Sequence, residues 1–154
     1  MTVTKIISGG QTGVDRAGLD AAIALNIEYG GYVPKGRKAE DGQVPQKYQM
    51  EEMKKGGYPT RTKKNIEESD GTVIFCQGRP STGTKLTVDY AVKIKKPFLL
   101  LDVDDVSKQT AVEILRNWIT KESIEVMNVA GPRQSSAPMV ALIAKKFLIE
   151  ALSK

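Results

Sequence analysis

The residues of this chain that could do chemistry fall in three glycine-bearing stretches. The first, SGGQTGVDR, brings Gly9, Gly10 and Gly13 together with Gln11, Thr12, Asp15 and Arg16. The second, QGRPSTGT, holds Gly78, Ser81, Thr82, Gly83 and Thr84. The third, AGPRQSSAP, holds Gly131 and Arg133. Glycine leaves backbone N–H groups uncovered by a Cβ, and a helix that starts at such a turn adds the positive end of its dipole. The chemistry this suits is the binding of an anion, phosphate above all. No turn is specific alone. The first is neither the dinucleotide fingerprint G-x-G-x-x-G nor the phosphate loop G-x-x-x-x-G-K-[ST], and a tight connection explains any one of them equally well.

Charged residues nearby extend the set. Arg133 and Arg61 could each clamp a phosphate or carboxylate in bidentate fashion; a surface salt bridge is the plainer role for both. Lys35, Arg37 and Lys38 lie in a loop, residues 34–48, that could close over a ligand. Glu40 and Asp41, in the same loop, would position a hydroxyl or an amine, or pair with Arg37.

Composition removes whole classes of mechanism. The chain contains no histidine and a single cysteine, Cys76. Ser–His and Cys–His nucleophile systems are therefore excluded, and no protein-only metal site is expected. A single cysteine also rules out an internal disulfide and fits a reducing, cytoplasmic location. The net charge of +5 suits an anionic partner, but only 6% of residues are aromatic and the lysines are dispersed. Nucleic acid is thus not the expected partner. No apolar run reaches the roughly 18–20 residues that would cross a bilayer, so no membrane role is expected.

These turns need a scaffold, and the periodicity of the chain supplies one. Strands are expected at 4–8, 27–33, 72–76, 98–101 and 124–129. Helices are expected at 15–26, 60–69 (with Ile66 inward), 85–95, 107–121 and 138–152. In the third helix Leu86, Val88 or Tyr90, Ala91 and Ile94 should face the sheet. In the fourth, Ala111, Ile114, Leu115, Trp118 and Ile119 form the apolar stripe. Residues 49–57 read as irregular. Cys76 reads as a buried inert thiol, with a sulfur beside the ligand as the alternative. Trp118 and Met127 read as core or subunit-interface residues.

Strands alternating with helices imply an α/β fold, a three-layer Rossmann-like sandwich with a mostly parallel five-stranded sheet, in a single domain over residues 1–154. Ligands of such sheets sit beyond the carboxyl ends of the strands. All three glycine turns leave strand carboxyl ends, so they should share one rim. That convergence argues for a site more strongly than any single turn.

GGQTGVDRAGLDAA, GGYVPKGRKAEDG, RTKKNIEESDGTVIF, GTKLTVDYA and NVAGPRQSSAP, in this order, resemble the family of putative molybdenum carrier proteins. That family sits in the Rossmann-like SLOG superfamily with the lysine-decarboxylase-like phosphoribohydrolases. The resemblance covers nearly the whole chain. It implies binding of molybdenum cofactor or of a nucleotide-like, phosphate-bearing ligand, and a homo-oligomer, dimeric or tetrameric. It also implies circular permutation. Relatives usually begin with the strand and helix that here stand last, so joining residue 154 to residue 1 restores their order. The last strand then lies at the sheet centre, and the expected strand order is 2-1-5-3-4.

One departure bears on activity. The phosphoribohydrolases carry P-G-G-x-G-T-x-x-E, whose Glu is catalytic. The matching stretch here is PSTGTKLT, which keeps Gly83 and Thr84 but has Thr87 in place of that Glu. Arg61, nine residues before Asp70, matches a family arginine. Anion binding kept and the acid lost implies a small-ligand binding protein without catalytic residues. Asp15, Glu40, Asp41 or Asp89 could still supply a carboxylate, which leaves a phosphoribohydrolase as the alternative. A nucleotide-sensing or DNA-associated module is a third reading.

Overall fold

The computed structural model describes residues 2–153. Its framework is β1 (Lys5–Ile7), α1 (Val14–Leu25), β2 (Glu28–Gly30), β3 (Tyr32–Val33), β4 (Lys38–Ala39), β5 (Gly42–Gln43) and β6 (Glu51–Glu52). It continues with α2 (Tyr58–Glu67), β7 (Gly71–Cys76), α3 (Thr82–Lys93), β8 (Phe98–Asp102), α4 (Lys108–Lys121), β9 (Val126–Ala130) and α5 (Pro138–Leu152).

The central sheet runs β2-β1-β9-β7-β8, and every pairing in it is parallel. Counting only these five strands along the chain, this is the order 2-1-5-3-4 expected from the permuted arrangement. The last strand, β9, lies at the centre between β1 and β7. Ile6 pairs with Met127, and Val73 with Val129, in register.

The helices form the outer layers. On one face α1 packs on α5 and α5 on α4. Their apolar stripes meet Ile6, Val73, Phe75, Leu101, Met127 and Val129 in the main core. Trp118, Leu115 and Ile119 lie in this core as the stripe requires, and Met127 is fully buried there. The other face carries α2 and α3, which pack on each other. Ser81 and Ser107 cap α3 and α4, each accepting at Oγ from the backbone N–H three residues on, at 3.2 Å.

Three local expectations change. The strand expected at 27–33 is split into β2 and β3 by Gly31, whose φ of +121° breaks the extended backbone. β3 instead pairs parallel with β6, inside a stretch that reads as irregular in sequence. α3 turns Ala91 inward as expected, but the other buried positions are Thr84 and Thr87, while Leu86, Val88, Tyr90 and Ile94 are only half-buried. The reason is that α3 borders a cleft, and threonines occupy its inner side.

Candidate functional site

Between α2 and α3, over the carboxyl ends of β7 and β9, the protein opens a cleft of ≈ 650 Å³. Gly9, the Ser81–Thr84 turn, Gly131 and Arg133 all line it. The three glycine turns therefore meet on one rim, as a parallel sheet requires of loops that leave the same strand ends.

Gly9 is where the first turn meets α2. Arg61 reaches across it, donating from Nη1 to the Gly9 carbonyl at 2.9 Å and to Asp15 Oδ2 at 3.1 Å. Both side chains of this ion pair are buried. Asp15 also accepts from the Gln11 backbone N–H at 3.2 Å. Burial pushes the Asp15 carboxyl above its ordinary value, against the pull of the Arg61 and Arg16 guanidinium groups and the Gln11 N–H.

Besides the Gln11 N–H, three backbone donors of this first turn are already used within the protein. Gly10 N–H meets Ser8 Oγ at 3.3 Å, Thr12 N–H meets Gln11 Oε1 at 3.0 Å, and Val14 N–H meets the Pro132 carbonyl at 3.2 Å. Gly10 and Gly13 serve geometry, with φ of +72° and +85°. A Cβ on Gly13 would lie 2.4 Å from the Pro132 carbonyl, so glycine there lets the third turn approach. What the first turn offers the cleft is Gly9, Asp15 and Gln11.

Gln11 carries the least satisfied group. Its Oε1 accepts from two backbone donors, Thr12 N–H at 3.0 Å and Glu40 N–H at 2.8 Å. Two donors on one oxygen fix the amide orientation, because the flipped form would set NH2 against N–H. Nε2 is then left buried with no hydrogen-bond partner. Gln11 is 7% exposed.

The opposite wall is the start of α3. Ser81 Oγ takes the Thr84 N–H, while the first two N–H groups of a helix have no partner within it. A Cβ built on Gly83 would meet only Ser81 Oγ, at 3.8 Å, so a ligand can come close to this backbone. At the mouth, Arg61, Arg133 and Lys38 lie 5.4, 5.4 and 5.5 Å from the ring centre of Tyr58. Arg61 is neutralised by Asp15. Arg133 and Lys38 form no salt bridge among the described residues and give the mouth its positive field.

Several residues of the candidate set lie outside the cleft lining. Arg16 donates to the Gly10 carbonyl at 3.0 Å and pairs with Asp41 through two bonds of 2.7 and 2.8 Å. Glu40 accepts from the Thr12 and Ser135 hydroxyls, and Thr12 Oγ1 accepts from Gln134 N–H at 3.1 Å. These contacts fasten the β4–β5 hairpin to the Arg133 turn. Arg37 donates to the carbonyls of Val44, Pro45 and Tyr48, which ties its own loop together. Lys35 is exposed at the start of that loop's short 3-10 turn and does not line the cleft. Gly78 N–H donates to Asp102 Oδ1 at 3.2 Å. Cys76 is buried, and burial beside Asp102 raises its thiol pKa.

Tyr58 and Asn128 also line the cleft and escaped the sequence reading. The Gly56–Gly57 pair before an aromatic was the available signal for Tyr58. An asparagine inside an otherwise apolar strand, VMNVA, was the signal for Asn128.

Known proteins place this architecture. The family model described as the Circularly permutated YpsA SLOG family matches residues 6–152. A solved structure from Syntrophus aciditrophicus SB, named Putative molybdenum carrier protein, is 46% identical and superposes with a TM-score of 0.95. The match covers 99% of this chain and 96% of that one. No curated protein matches it significantly. With its last strand at the sheet centre and its family model matched almost end to end, the chain belongs to the circularly permuted YpsA SLOG family.

Proposed function

We propose that this protein binds and carries a small organic phosphate, pterin-like or nucleotide-like, in the cleft between α2 and α3, with molybdenum cofactor as its cargo. The observation that carries the reading is Gln11 Nε2, a donor locked in place and unanswered by the protein. A buried donor left unpaired costs about 1–3 kcal/mol, which an acceptor on a ligand recovers. The α3 start, Arg133 and Lys38 add N–H donors and positive charge around the same cleft.

The name of the similar Syntrophus protein supports molybdenum as cargo. The donor set fits an organic phosphate better than a metal ion. No group of three or more His, Cys, Asp or Glu side chains suited to a metal occurs among the described residues. The one thiol is buried. A metal would therefore ride on its own organic ligand, and the protein would grip the phosphate. A cytoplasmic homo-oligomer belongs to the same reading. Val92, Leu100, Met139 and Leu142, each at least 40% exposed, supply apolar surface for it.

A phosphoribohydrolase is the second reading, and Asp15 is what favours it. Among the described residues it is the one carboxylate on the cleft wall, and its pKa is raised. Thr87, where relatives carry the catalytic Glu, donates its hydroxyl to the Gly83 carbonyl at 3.1 Å.

Isothermal titration with GMP and with a pterin monophosphate tests the carrier reading. Binding of either, with no free base released, supports it. If neither binds more tightly than inorganic phosphate, the reading is lost; release of free base favours the second.

A further inference from the structure

The two faces of the central sheet are built differently. Toward α1, α4 and α5 the strands present Ile6, Val73, Phe75, Leu101, Met127 and Val129 to an apolar core. Toward α2 and α3, β7 and β9 present Thr72 and Asn128 side by side in register. Thr72 is 0% exposed and Asn128 3%. Asn128 Nδ2 donates to Thr72 Oγ1 at 3.2 Å, and Oδ1 is the remaining polar atom of a side chain that lines the cleft. An amide is costly to bury in a sheet core unless its polar atoms find partners.

Depth matters as well. Asn128 lies three residues before Gly131, about 10 Å down a strand that rises about 3.3 Å per residue. The cleft therefore runs from the charged rim at Arg133 well down the sheet face, where Ile74 and Leu86 add apolar surface. A bare oxyanion would occupy the rim alone. A volume of ≈ 650 Å³ suits an organic molecule.

We propose that the inner half of the cleft is a recognition pocket for a planar nitrogen heterocycle, with the phosphate at the rim and a ring N–H donating to Asn128 Oδ1. This rests on the phosphate-binding reading and adds the ligand's orientation and ring class. Asn128 is the specificity-determining residue. Thr72 is a positioning residue that holds its amide.

Titration of the full-length protein with GMP and with ribose 5-phosphate tests it. GMP should bind about tenfold more tightly, the worth of one buried hydrogen bond with ring burial. Asn128→Ala should bring GMP down to ribose 5-phosphate, whose own affinity stays within about twofold. Thr72→Val, which keeps the side-chain shape, should lower the same ratio and serves if the alanine variant fails to fold. Equal affinities for the two ligands in the wild type overturn the proposal, and so does a ratio unchanged in the variants. If neither ligand binds, the phosphate reading falls and this one with it.

Discussion

A Cβ on residue 9 would lie 2.0 Å from Nη1 of Arg61 and 2.5 Å from its Cδ. Gly9 is thus a glycine so that an arginine 52 positions away can cross the first turn and reach Asp15. Through this one contact α2 is fixed against the start of α1, and the cleft acquires its inner wall.

Gly9→Ala should therefore act through Arg61. Displacing the guanidinium leaves Asp15 as a buried carboxylate without its cation, and breaking such a pair costs about 3–5 kcal/mol. Arg61→Met should show the same loss in urea unfolding at neutral pH. The double variant Arg61→Met with Asp15→Asn should regain more than half of it, because the penalty lies in the orphaned charge. Simple additivity of the two substitutions would contradict this account.

The pH dependence of Asp15 has a defined sign. Its folded pKa is raised above the unfolded 3.8, so the folded state holds the proton more tightly. The stability this gives is fully present below about pH 3.8 and fades as the pH rises through the folded value. Asp15→Asn should flatten that part of the stability profile. A wild-type profile with no decline above pH 3.8 that Asp15→Asn removes would show that Arg61 outweighs burial.

Gln11→Glu tests the donor that Gln11 brings to the cleft wall. The glutamate keeps the shape of the side chain and one oxygen for the Thr12 and Glu40 N–H groups, while the second oxygen replaces the cleft's donor with negative charge. Binding of organic phosphates should fall at least about a hundredfold, since a lost donor and an added repulsion each cost on the order of 1–3 kcal/mol. The melting temperature should fall as well, because the new carboxylate is buried beside Asp15 without a cation of its own. Titration calorimetry reads the first effect and scanning calorimetry the second; unaltered affinity would remove Gln11 from the site.

Glu40 should make the hairpin clasp acid-sensitive. Hydrogen bonds from Ser135 and Thr12 hold its carboxyl below the ordinary 4.5. Its contribution is present above pH 4.5 and is lost as the pH falls through the lowered folded value. Protection of the Gln134 and Ser135 amides against hydrogen exchange, taken relative to the intrinsic rate at each pH, should fall in acid, and Glu40→Ala should show that lower protection already at pH 7. Protection in the variant equal to wild type would mean that the Arg133 turn is held by other contacts.

The frame was legible in the sequence because strands of a parallel sheet are continuous apolar runs and their helices are amphipathic. VIF in β7 and the Ala111–Ile119 stripe in α4 need no tertiary information. The rim followed from topology. What sequence could not assign was how each polar side chain is used. Arg37 and Arg133 both follow a Gly- and Pro-bearing turn, yet Arg37 is consumed by three carbonyls of its own loop and Arg133 faces the cleft. Glu40 and Asp41 likewise face the protein, because partners 95 and 25 positions away reach them. Tyr58 was hidden because its role depends on three cations from three separate elements.

The permuted order should be reversible in the laboratory. Thr2 and Ser153, the first and last of the described residues, line one groove at the amino-end side of the sheet. Arg116 secures that corner, donating to the Glu150 and Ala151 carbonyls at the end of α5. A short Gly–Ser linker between the ends should be tolerated, since closing a flexible loop costs little and rises slowly with length. The natural place to reopen the chain is Lys121–Ser123, an exposed corner between α4 and β9 where Ser123 already has φ of +55°. A chain starting at Ser123 then reads β9, α5, linker, β1, which is the order the unpermuted relatives resemble. It should fold to the same sheet, with a circular dichroism spectrum and phosphate affinity matching the parent. An unfolded product would show that β9 needs the rest of the chain ahead of it to find the centre of the sheet.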